Sequence, residues 1–195
     1  MNFKKILILL SAMLALSSGA WAQKAGLKTN LVGDAFASPN IGLEFGLAPK
    51  WTLDLTAQFN FWDVNRHKWK HWLVQPEFRY WFCERFGGHF LAFHAIGGEF
   101  NFCNIKNNIK FLGSDFSLLS HRRYQGWGAG AGVGYGYAWI LGDHWNLEAE
   151  IAVGWIYTRY DSYPCAVDCG TKIEQNKAHN YVGPTKLSLA IEYLF

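Results

Sequence analysis

Nine ionisable residues recur inside stretches of alternating polarity: Lys28, Glu44, Asp54, Glu77, Arg79, Glu148, Glu150, Lys186 and Glu192. Carboxylates paired with bases can do acid/base chemistry or line an ion path. Enclosed, they can instead neutralise one another. A buried charge costs several kcal/mol unless it is paired and hydrogen-bonded. Because alternation puts these groups on one face, we read Glu44, Asp54, Glu77, Arg79, Glu148, Glu150, Lys186 and Glu192 as an interior ion-pair network. Arg79 and Lys186 are its expected cations. The acids outnumber the bases, so some carboxylates should share protons, hold water or lie near an open rim.

Other groups are weaker candidates. Cys165 and Cys169 are spaced C-x3-C beside Pro164 and Gly170, which suits a local disulfide in an oxidising compartment; a metal pair with His179 is the alternative. Cys83 and Cys103 flank one predicted strand and should fall at opposite ends of it, beyond bridging distance. His67, His71, His121 and His179, with His94 deeper, accompany Asp34, Asp63, Asp115, Asp161 and Asp168 near predicted loops. Rim Asp/His sites serve some barrel proteases, and Ser with His serves barrel lipases. Ser120-His121 is adjacent in sequence, which does not make a dyad. Turn formation accounts for such residues equally well, and no catalytic residue is assigned. No cofactor or metal site is assigned either. Arg66, Lys68, Lys70, Arg122 and Arg123 form a candidate basic surface, with Lys106 and Lys110 beside it. This is either a solvated rim or a surface for anionic lipid or an acidic partner.

The elements that must position these groups follow from the pattern. Residues 1–22 read as a cleaved signal peptide: Lys4 and Lys5, an apolar stretch from Ile6 to Leu16, then Ala20-Trp21-Ala22 before Gln23. The apolar stretch is shorter than the roughly 20 residues of a spanning helix. Removing it takes two of 18 bases and no acids, leaving 16 − 15 = +1, so nothing suggests nucleic acid.

The remainder, residues 23–195, alternates with a period of two, the strand signature. Eight strands are predicted, at Gly26–Val32, Asn40–Leu47, Trp51–Phe61, His71–Phe82, His89–Phe102, Tyr124–Leu141, Trp145–Tyr160 and Tyr181–Phe195. Short connections at Ala48–Lys50, Cys83–Gly88 and Gly142–His144 alternate with longer ones at Gly33–Pro39, Asp63–Lys70, Cys103–Arg123 and Asp161–Asn180. Even strand number, short turns at one end and long loops at the other are the rule for transmembrane barrels.

A period-two barrel can also be lipocalin-like, with its apolar face inside. Three features favour the opposite sense. Gly126, Gly128, Gly130, Gly132, Gly134 and Gly136 alternate with Trp127, Ala129, Ala131, Val133, Tyr135 and Tyr137, and glycines facing inward leave room for polar groups from the opposite wall. Aromatics cluster near segment ends, as interfacial girdles do. The C-terminal stripe Leu189, Ile191, Tyr193 and Phe195 resembles the signal by which outer-membrane barrels are recognised for assembly. The expected fold is therefore all-β: an eight-stranded antiparallel transmembrane up-and-down barrel.

With these residues in view, the chain resembles the small OmpA-type outer-membrane barrels. More narrowly, it resembles an uncharacterised family of small Bacteroidetes outer-membrane proteins, a domain of unknown function often encoded near fimbrial genes. The resemblance is carried by Lys28-Thr-Asn-Leu, Asn40-Ile-Gly-Leu-Glu-Phe, Trp51 to Phe59, Gln75-Pro-Glu-Phe-Arg-Tyr-Trp, the glycine-rich segment and Leu187 to Phe195. It implies no catalytic residues. The expected function is a non-enzymatic outer-membrane scaffold acting through its external loops. Expected partners are lipopolysaccharide, the barrel-assembly machinery and a fimbrial or other surface protein. A narrow channel and a rim-sited lipid or peptide hydrolase are the alternatives.

Overall fold

The computed structural model describes residues 25–64, 67–103, 110–111, 114–115, 122–164 and 171–195. The segment read as a signal peptide, residues 1–22, lies outside them. Eight long strands are present: β1 Ala25–Asn30, β2 Asn40–Ala48, β3 Trp51–Val64, β4 His67–Trp81, β5 Gly88–Cys103, β6 Arg122–Ile140, β7 Trp145–Pro164 and β8 Glu174–Leu194. Each is antiparallel to its sequence neighbours, and β1 pairs with β8, so the sheet closes into a barrel. Lys110–Phe111 and Ser114–Asp115 form a small separate ribbon in the third long connection.

The short connections fall where expected. Of the longer ones, that between Cys103 and Arg123 falls where expected and the other three differ. Predicted strand one ends early, because Leu31–Ala35 forms a helical turn, α1, whose second amide is capped by the Asn30 side chain (Val32 N–H to Asn30 Oδ1, 3.1 Å). The connection expected at Asp63–Lys70 is mostly strand: β3 and β4 pair out to Asp63↔Lys68 and Val64↔His67. β7 runs to Pro164 and β8 begins at Glu174, so that loop is also shorter than expected. At these outer ends polar and apolar residues no longer alternate cleanly, as in Phe61-Trp-Asp-Val64 of β3 and Tyr160-Asp-Ser-Tyr163 of β7, and a period of two leaves no contrast in the sequence.

The faces are arranged as predicted. Outward Val133, Ile151 and Leu187 are 52%, 58% and 63% exposed, whereas inward Glu44 and Glu192 are 0%. β5, whose faces look alike in sequence, turns Phe90, Ala92 and His94 inward and Leu91 and Phe93 outward. Phe90 packs on Trp81 with ring centroids 4.6 Å apart and lies beneath the Arg79 guanidinium.

The glycine stripe of β6 faces inward, but its space is used by neighbouring strands rather than by the opposite wall. A Cβ on Gly132 would come within 2.7 Å of the His94 ring of β5, one on Gly134 within 2.8 Å of Glu150 of β7, and one on Gly136 would strike Phe90 of β5. In β8 the register shifts between Pro184 and Lys186. The extra residue, Thr185, reverses parity, so Val182 faces outward before the bulge while Leu187 and Leu189 do so after it.

Candidate functional site: an ion-pair core within the barrel

The register assembles the site. Glu44, Asp54 and Glu77 are direct cross-strand partners on β2, β3 and β4. Three like charges side by side repel, so the row persists only with cations across it. Arg79, two residues along β4, supplies one. Its Nε donates to Glu77 Oε1 at 2.7 Å, and its Nη1 to Glu44 Oε2 at 2.7 Å and Glu148 Oε2 at 2.9 Å. Its Nη2 donates to Glu150 Oε2 at 3.1 Å and lies 3.0 Å from Asp54 Oδ2. Lys186 Nζ bridges Glu77 Oε2 at 2.8 Å and Glu150 Oε2 at 2.9 Å.

Lys28 of β1 is as central as either expected cation. Its ammonium donates to Glu44 and lies 3.2 Å from Asp54 Oδ2, 3.0 Å from Glu148 Oε2 and 3.7 Å from Glu192 Oε1. Its parity was legible in the sequence. Its pivotal place was not, because β1 meets β8 only on closure (Lys28↔Glu192). All eight residues read as the interior network therefore meet in one buried cluster, with Lys28 as a ninth.

Uncharged groups missed by the charge-based reading complete the section. Asn146 Nδ2 donates to Phe86 O at 2.8 Å and Glu192 Oε2 at 3.3 Å. Trp81 Nε1 donates to Thr52 Oγ1 at 2.9 Å. His94 is buried against Thr185 (Nε2 to Oγ1, 3.0 Å), with Nδ1 3.7 Å from Glu77 Oε2. On the long-loop side lies a polar cavity of ≈ 130 Å³ lined by Asn30, Asn40, Thr56, Gln58, Gln75 and Ser188 among others. On the short-turn side Trp81, Phe86 and Phe90 fill the barrel.

The basic candidates are engaged locally. Lys70 pairs with Asp63 at 3.0 Å and Arg122 with Glu174 at 3.7 Å. Arg123 donates to Asn101 at 2.9 Å and to Gln125 at 3.2 Å. Lys68 sits opposite Cys103 on β5, and Arg66 lies outside the described residues. The rim acids are likewise structural: Asp34 accepts from Thr29 and Asn40 at the α1 turn, and Asp161 accepts from Lys172. His121, Asp168, Cys165 and Cys169 lie outside the described residues. Cys83 is free and exposed and Cys103 is disulfide-bonded, so the two are not bridged to each other. In the C-terminal stripe Tyr193 stacks edge-on against Trp145 and Phe195.

Residues 6–195 match the model of the family described as "protein of unknown function (DUF3575)". The chain belongs to that family. No curated protein and no solved structure matches it. Family membership spans the entire barrel, so the ion-pair core lies within the family's domain.

Proposed function

We propose that this protein is an exported outer-membrane barrel of the small OmpA type, a non-enzymatic scaffold that displays its long loops at the cell surface. The observation that carries the reading is the spacing of aromatic rings on the outward face. Trp51 and Phe61 on β3, Trp127 and Tyr137 on β6, and Trp145 and Trp155 on β7 each bracket an apolar run. Ten residues at about 3.3 Å each, tilted by about 40°, rise about 25 Å, the height of a lipid-facing band between two girdles. Tyr193 and Phe195 extend the girdle at the short-turn end.

The filled interior supports a scaffold over a channel, since Arg79 and its partners occupy the section through which ions would pass. The loops are then the working surface, toward lipopolysaccharide and a surface or fimbrial protein, after insertion by the assembly machinery. The test is planar-bilayer recording on the purified barrel beside outer-membrane fractionation. We expect outer-membrane recovery, heat-dependent gel mobility and no steady current. Reproducible single-channel currents would replace the scaffold with the channel reading, and recovery in the soluble fraction would remove both.

A further inference from the structure

The outward face of the barrel is not uniformly bulky. Across β4, β5 and β6 it sinks into a groove of ≈ 510 Å³. Its floor is made where Pro76 of β4, Ala95 and Gly97 of β5 and Ala129 of β6 leave the surface low. A Cβ on Gly97 would meet nothing within 4 Å, so no neighbour fills the hollow. Toward the short turns the next outward row is bulky again: Phe78, Phe93 and Val133 are cross-strand partners and about half exposed. The groove is therefore an apolar slot closed at one end.

Its long-loop end is built differently. Trp72, Glu99 and Trp127 are direct cross-strand partners and all line the groove, so a carboxylate stands between two indoles at the mouth. Trp72 Nε1 donates to Glu99 Oε2 at 3.1 Å, which holds the carboxylate beside the ring. Glu99 is exposed and has no basic partner among the described residues. Arg159 of β7 follows Trp127 in the same row. It too is exposed, with no acidic partner among the described residues.

A carboxylate turned toward lipid is costly unless something pairs with it. An ammonium does so twice over, by charge and by lying against the negative faces of the flanking indoles. Arg159, two strand spacings or about 10 Å along the row, suits a phosphate. The slot below suits an acyl chain. Ammonium, phosphate and acyl chain belong together in an amine-headed phospholipid. A lipid carrying phosphate alone would answer Arg159 but bring like charge to Glu99. We propose that this groove binds one zwitterionic phospholipid of the phosphatidylethanolamine type, with its amine at Glu99 between Trp72 and Trp127. The site rests on the membrane reading given above.

The test uses the full-length chain folded into vesicles of phosphatidylethanolamine and phosphatidylglycerol in equal parts, with identical acyl chains. The barrel is extracted in mild detergent and its retained lipid is identified by native mass spectrometry. Heat-dependent gel mobility first verifies insertion; a chain that stays out of the vesicles would overturn the membrane reading and this site with it. From the inserted wild type we expect one retained phosphatidylethanolamine per barrel. Gly97→Leu puts a side chain into the open slot, where its Cβ meets no obstacle, so folding should survive and the lipid be lost. Glu99→Gln should lower the preference for phosphatidylethanolamine over phosphatidylglycerol roughly tenfold, the worth of one hydrogen bond to a charged group. Arg159→Gln should weaken retention of both lipids. Val182→Leu, at an exposed outward position on β8, should retain lipid as wild type does. Equal retention of the two lipids by inserted wild type, or undiminished retention by Gly97→Leu, would overturn the site and leave the membrane reading standing.

Discussion

Arg79 is the residue on which most charges converge. It meets five carboxylates while only 2% exposed, so truncation leaves several buried acids short of a partner. Arg79→Ala should destabilise the barrel by about 3–5 kcal/mol, the usual cost of breaking a buried pair from one side; urea titration followed by gel mobility measures it. An unchanged midpoint would mean water reaches the cluster. Membership of this cluster was legible in the sequence because parity alone sorts Glu44, Glu77 or Glu192 to the inner face. Partner choice was not, since Lys28 reaches four acids on four other strands, contacts that depend on how the ring closes. Asn146 and Thr52 were passed over because uncharged polar residues carry no comparable cost and so no comparable expectation.

Among elements, β6 gives the sharpest contrast between faces. Gly132→Leu drives a side chain into His94 and the β7 backbone and should cost about 1–3 kcal/mol by overpacking. Val133→Arg puts a charge on the outward face and, if that face meets lipid as proposed, should cost about 2–4 kcal/mol near the midplane. Both are read from the fraction folded in vesicles, and a well-tolerated Val133→Arg would reverse the sense of the barrel. The outer ends of β7 and β8 offer a pH test. Asp161 accepts from Lys172 Nζ and from Asn176 N–H, each at 2.7 Å, bracing the irregular stretch where the register shifts between Glu174 and Lys177. These bonds hold its carboxyl below the ordinary carboxylate range. Because the folded value is depressed, the brace is complete at neutral pH and is lost as pH falls through that lowered value. Hydrogen exchange at the Asn176 amide should accelerate only in that acid range, and Asp161→Ala should abolish the dependence. This clasp was invisible to a reading based on alternation, as were the α1 turn and the Thr185 bulge. One extra residue reverses a period of two without changing composition. The central stretches of β3, β4 and β7 were legible because polar and apolar faces differ most there.

At the scale of the molecule, the two ends of the barrel should be chemically distinct. Cys83 lies in a short turn, and Cys103 ends β5 at the opposite rim. With the short turns inside, Cys83 should escape a membrane-impermeant maleimide on intact cells and react once the outer membrane is permeabilised; Cys103 should react only after reduction. Labelling of Cys83 on intact cells would invert the topology. Of the four cysteines, Cys83 is free and Cys103 is disulfide-bonded, which sets the Cys103 bond against the expected Cys165–Cys169 bridge, and non-reducing peptide mapping identifies its partner. The ion-pair core has a further consequence for how the ring comes together. Its members come from β1, β2, β3, β4, β7 and β8, and charges from the first and last strands meet, across the β1–β8 seam and across the interior, once the sheet has closed on itself. In the proposed membrane setting, an open sheet would expose to lipid both its unpaired edges and inward charges without their partners. On the membrane reading proposed above, closure and entry into an apolar surrounding form a single cooperative event: a half-built barrel belongs in water, and only the finished one can leave it.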